Sequence, residues 1–90
     1  MKYNQTTLDK AEKLLEEAGY VLRYERGTFQ SGYCILEDRK VVVLNKFLSV
    51  EGRINTVIEI IASLNLEEFN FTPESQKAYE EVMVKYASEE

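Results

Sequence analysis

Ninety residues with 44% hydrophobic and 30% charged side chains make one ordinary globular domain whose folding margin is thin. With no histidine and one cysteine, Cys34, the chain can build no histidine-dependent triad, no common zinc site and no internal disulfide, and a reducing, cytoplasmic compartment is the expectation. The net charge of −5 is unevenly spread, about −1 over residues 1–18, +2 over 19–47 and −6 over 48–90. This balance weighs against nucleic acid as a partner, because phosphate attraction supplies most non-specific affinity.

The first fifteen residues, MKYNQTTLDKAEKLL, lack the apolar stretch of a signal peptide, and no run in the chain approaches a membrane span. Thr6 or Thr7 is the expected N-cap of a first helix, with Leu8, Ala11, Leu14, Leu15 and Ala18 on one stripe and Gly19 as its C′ residue. A first strand follows over Tyr20–Glu25, rich in aromatic and β-branched residues. Residues 26–32, RGTFQSG, form a glycine-bearing loop suited to contacting a ligand or partner. It lacks the Gly-Lys-Ser/Thr ending of a phosphate loop.

Tyr33–Glu37 is the second expected strand, with Cys34 and Leu36 on one face and Tyr33 and Ile35 on the other. Lys40–Asn45 is the third, separated by Asp38-Arg39, which lacks the glycine of a tight primed turn and so predicts a longer connection. Its core, Val41-Val42-Val43-Leu44, is apolar without alternation, which predicts a central strand covered on both sides. Ser49 is the expected N-cap of a second helix whose apolar residues Ile54, Val57, Ile58, Ile60, Ile61 and Leu64 span a wide arc. Glu59, Thr56 and Ser63 mark its wet side. After a loop over 66–71, Thr72-Pro73-Glu74 opens a third helix with Ala78, Tyr79, Val82, Met83 and Tyr86 as its stripe, and residues 88–90 are expected to fray. The fold class read from this order is α+β: a helix, a three-stranded antiparallel meander, then two helices, in a single domain over residues 1–90.

No motif here implies a cofactor, and no spacing of acids suggests a metal site, since Glu67-Glu68 and Glu80-Glu81 are neighbours that diverge on a helix. The best candidates for binding are Arg23, Arg26, Phe29, Tyr33, Lys46 and Arg53, which gather the basic charge of the β region with its aromatics. Three functions remain open. The first is a small non-catalytic binding or assembly module, forming a homodimer or joining a protein partner. Its motive is that both sheet faces and the wide second helix carry more apolar surface than a ninety-residue monomer buries. The second is a small enzyme using Cys34 or Glu59 with nearby arginines. The third is single-stranded nucleic-acid binding, with Tyr20, Tyr24, Phe29 and Tyr33 as stacking rings on the sheet.

The run ERGTFQSGYCILEDRKVVVLNKFLSVEGRIN resembles a family of short bacterial proteins of unknown function, through its arginine-glycine loop, its SGYC strand start and its VVV-NKF strand. That resemblance implies no activity. The order strand, turn, strand, helix over GYCILEDRKVVVLNKFLSVEGRINTVIEIIASL also resembles the core of zincin-like metallopeptidases that cleave phage-type repressors. Arg53 matches the arginine ahead of their HExxH helix motif and Glu59 its glutamate, while Ile58 and Ala62 stand in place of the two histidines. The resemblance implies a metal-free relative in which Glu59 has no metal-bound water to activate.

Overall fold

The computed structural model describes residues 2–26 and 33–88. Helix α1 (Gln5–Glu17) is followed by strands β1 (Val21–Glu25), β2 (Tyr33–Leu36) and β3 (Val41–Asn45), then by helices α2 (Val50–Leu64) and α3 (Pro73–Ser88). The α+β order read from the sequence is therefore the order observed. Residues 89 and 90 lie outside the described residues, and Ser88 is the last helical residue.

The helix ends follow from local chemistry. Asn4, rather than Thr6 or Thr7, caps α1, its side chain accepting from the Thr7 amide at 3.0 Å. Asparagine is the better N-cap, and it leaves both threonines inside the first turn. Gly19 ends the helix at φ +93°, a left-handed backbone that disfavours any side chain, while its amide returns to the Glu16 carbonyl. Ser49 caps α2, accepting from the Gly52 amide at 3.1 Å.

Thr72, with Pro73 in the first helical position, opens α3. There the Glu17 carboxylate, at the end of α1, accepts hydrogen bonds from the Thr72 amide and hydroxyl and from the Ser75 hydroxyl. A negative charge at a helix N-terminus is also favoured by the helix dipole. One side chain thus joins two helices far apart in sequence.

The sheet departs from the expected meander. Its order is β1-β3-β2, with β1 parallel to β3 and β2 antiparallel to β3, so the antiparallel meander is corrected to a mixed sheet. The cause is the unalternating run Val41–Leu44. A meander would leave β3 at an edge, where one side of its ladder and much of its apolar surface meet water. Placing β3 between its neighbours buries Val42, Val43 and Leu44 and puts the two more exposed strands at the edges. The link from β2 to β3 is a short 3-10 turn over Glu37–Arg39 plus Lys40 at φ 52°, the longer connection predicted.

Register assigns every strand residue to a face. Leu22, Val42 and Ile35 form one row and Tyr24, Leu44 and Tyr33 the next. All six join a single core cluster with α1 (Leu8, Ala11, Leu14, Leu15), α2 (Ile54, Val57, Ile58, Ile60, Ile61) and α3 (Ala78, Tyr79, Val82). The three helices lie on that one side and pack against each other. The wide apolar arc of α2 is consumed inside the molecule, by the sheet and by both other helices, so it does not contribute spare surface. Thr56, expected on the wet side, is buried, and its hydroxyl is satisfied by donating to the Gly52 carbonyl at 2.8 Å. Glu59 and Ser63 are exposed, as expected.

Two predictions test this packing. Leu44→Ala removes a fully buried side chain between sheet and helices and lowers unfolding free energy by about 2–5 kcal/mol, read by urea denaturation. Glu17 behaves differently, because the Ser75 hydroxyl first, then the Thr72 amide and hydroxyl and the charge of Lys13, hold its carboxyl below the usual range against partial desolvation. A depressed folded-state pKa stabilises above the unfolded pKa, and that contribution is lost as pH falls through the folded one. Glu17→Gln therefore lowers the thermal midpoint at pH 7, and the gap from the unsubstituted protein narrows as pH drops through the carboxylate range.

Candidate functional site

Five of the six candidate residues fall within the described chain; Arg23, Arg26, Lys46 and Arg53 occupy three separate places, and Tyr33 lies apart from all three. Phe29 lies outside the described residues.

The first place is the sheet face turned away from the helices. Its rows are Val21, Val41 and Leu36, then Arg23, Val43 and Cys34, then Glu25 and Asn45. Val21 is 55% and Leu36 43% exposed. Arg23 pairs with Glu25 at 3.7 Å, both ends largely solvated, so the pair contributes little stability. The face thus grades from apolar at the N-terminal ends of β1 and β3 to polar at their C-terminal ends. Cys34 is half-buried here, two strands from Arg23, whose guanidinium is turned to Glu25. Tyr33, by contrast, faces the helices.

The second place is a partly buried tie. Tyr24 donates its phenol proton to the Glu12 carboxylate of α1. The Arg53 guanidinium lies 4.5 Å from the Tyr24 ring centroid. Arg53 also donates through Nε to the Leu48 carbonyl at 3.1 Å and through a terminal nitrogen to the Lys46 carbonyl at 2.8 Å. Burial, then the Glu12 carboxylate, push the Tyr24 phenol well above its usual range, with the Arg53 charge opposing. Helix α1, strand β1, helix α2 and the turn after β3 are thereby joined through one planar cation. Arg53 is a positioning residue, with two of its donors on backbone carbonyls.

The third place is the turn that Arg53 holds. The Lys46 amide reaches the Glu25 carbonyl at 3.1 Å, which brings Lys46 beside Arg26. Between them stands Phe47, 68% exposed, with Lys46 Nζ 5.5 Å and the Arg26 guanidinium carbon 5.9 Å from its ring centroid. Sequence reasoning named both cations and missed the ring. The available signal was a phenylalanine placed past the end of β3 and outside any apolar period.

Glu59 is elsewhere. It lines an open groove of about 550 Å3 between α2 and α3, with Tyr3, Glu51, Asn55, Ile58, Lys85 and Tyr86. The Tyr33 phenol is raised above its usual range by burial first and then by Glu59 and Tyr86. Cys34 and Glu59 belong to opposite sides of the sheet and form no common site. Ile58, which stands in place of a metal-binding histidine in the zincin-like resemblance, is buried in the core. Among the described residues no group of three or more histidine, cysteine or acidic side chains is placed to hold a metal, and no helix is long and apolar enough to cross a membrane.

Comparison of the chain with protein-family models, with curated proteins and with solved structures gives no match.

The partly buried tie is testable. Arg53→Ala removes two charge-assisted hydrogen bonds and a ring contact and lowers unfolding free energy by about 2 kcal/mol. Arg53→Lys restores less than half of it, because a point charge cannot serve two carbonyls and stack on a ring together. Urea denaturation of the two variants reads both effects.

Proposed function

We propose that the protein is a small non-catalytic assembly module that self-associates through the sheet face opposite its helices. One observation carries this reading: the exposed Val21 and Leu36, with the half-buried Val41 and Cys34 beside them and the buried Val43 between, lie on a face to which none of the three helices contributes cover. An apolar sheet face needs a second layer, and Val21 and Leu36 have none. A second copy is the simplest layer, because a two-fold axis lets one patch meet itself.

The size of the face sets the strength of the contact. Two strands of five residues and one of four, about 4.8 Å apart, offer a footprint of about 15 by 17 Å, on the order of 250 Å2 per chain. A standard stable interface uses about 800 Å2 per partner. The dimer is accordingly reversible, with dissociation in the micromolar range rather than the nanomolar. The graded face favours an arrangement in which the apolar rows overlap and the Arg23–Glu25 pairs remain at the solvated rim.

The enzyme reading loses support because Cys34, Glu59 and Arg53 face three different surroundings. The base-stacking reading loses support because Tyr24 and Tyr33 turn toward the helices.

Light scattering across a concentration series tests the proposal. The unsubstituted chain passes from the mass of one chain to twice that mass as concentration rises through tens of micromolar. Leu36→Glu, a change at an exposed position, stays at the single-chain mass and keeps its helical circular dichroism. Ile35→Lys, one residue away but turned inward, unfolds the protein instead. A single-chain mass for the unsubstituted protein up to several hundred micromolar overturns the proposal.

A further inference from the structure

We propose that Arg26, Lys46 and Phe47 form a docking knob for an acidic protein segment that carries an apolar anchor residue. The knob stands beyond the C-terminal ends of β1 and β3, at the opposite end of the sheet from the apolar row of Val21, Val41 and Leu36. It is therefore independent of the self-association described above.

Three observations converge on it. Among the large hydrophobic side chains of the described residues, Phe47 is an aromatic ring 68% exposed, against 38% for Phe69. An aromatic ring left in water costs free energy that a partner recovers by covering it. Its two neighbours are cations, and among the described residues neither Arg26 nor Lys46 lies within ion-pair distance of a carboxylate. Glu25, the acid nearest Arg26 in the chain, is engaged by Arg23. Finally, the turn is held in place before any partner arrives. Arg53 binds the carbonyls on both sides of Phe47, at Lys46 and Leu48, and the Phe47 amide donates to the Asn45 side chain at 2.9 Å. A pre-ordered aromatic flanked by an arginine and a lysine loses little entropy on binding and has the composition of an interface hot spot.

Charge complementarity selects the partner. Two cations around a ring match carboxylates spaced around an apolar side chain. A nucleic acid offers phosphates instead, but its affinity grows with the number of phosphates neutralised, and two cations on a chain of net charge −5 neutralise few. An acidic polypeptide needs only two ion pairs and one covered ring, and complementary charge speeds its encounter.

Fluorescence anisotropy with a fluorescein-labelled random copolymer of glutamate and tyrosine as the probe tests the proposal. The protein binds the copolymer, and binding weakens severalfold between about 50 and 300 mM salt, as expected for exposed ion pairs. Phe47→Ala weakens it about tenfold, and Arg26→Glu with Lys46→Glu at least as much. The thermal midpoint of Phe47→Ala stays close to that of the unsubstituted protein, since the ring is exposed. Lys77→Glu, an exposed change on α3, leaves binding unaltered. The proposal is overturned if the unsubstituted protein ignores the copolymer, if Phe47→Ala binds it equally well, or if Lys77→Glu weakens it as much as the knob variants do. It is also overturned if polyglutamate binds as tightly as the copolymer, which leaves the ring no role. Tighter, Phe47-dependent binding of a ten-residue oligothymidylate assigns the knob to single-stranded nucleic acid and overturns it too.

Discussion

The constraint on which the rest of this structure depends is the run Val41–Leu44. Four consecutive apolar residues in a strand need cover on both faces and pairing on both edges. Only the middle of a sheet gives both edges, so β3 takes it, and β1 and β2, consecutive in the chain, are sent to opposite sides. From that placement follow the parallel pairing of β1 with β3, the inward rows that meet the helices, and the outward row that does not. The helices complete one face by sharing a core, in which α2 touches both of the others. The second face receives nothing comparable among the described residues.

Much of this was legible before any coordinates. The stripes of α1, α2 and α3 are read correctly from their period, because helix amphipathicity is a local property that burial then respects. The alternation within β2 is likewise borne out. The sheet order was not read, although the sequence held the answer: a strand expected to be central cannot be third in a meander. Strand neighbours are set by long-range pairing, and propensity is silent about them. Thr56 departs from its expected wet side for a different reason. A hydroxyl that bonds the carbonyl four residues back is no longer polar to its surroundings, and no one-letter pattern records that.

The candidate residues show the same division between local and distant. Arg23, Arg26, Tyr33, Lys46 and Arg53 are adjacent in character but not in space. Arg23 lies on the open face and Tyr33 turns toward the helices, while Arg26 and Lys46 meet because the parallel pairing brings the ends of β1 and β3 together, and Arg53 reaches Lys46 through its backbone carbonyl. Phe47 gains its meaning from those two neighbours and from the carbonyls that Arg53 holds, none of which its own position in the sequence discloses. A positioning arginine, an exposed ring and an open apolar row are what remains once catalysis by histidine is excluded by composition.

The central claim is that a second copy covers the open face, and Cys34 sits on that face as a natural reporter. The most direct measurement is the rate of Cys34 modification by a thiol reagent as a function of protein concentration. Cover by a second copy predicts that the rate per chain falls as concentration rises through the micromolar range, and that Leu36→Glu abolishes this dependence. A rate that stays constant to several hundred micromolar contradicts the claim.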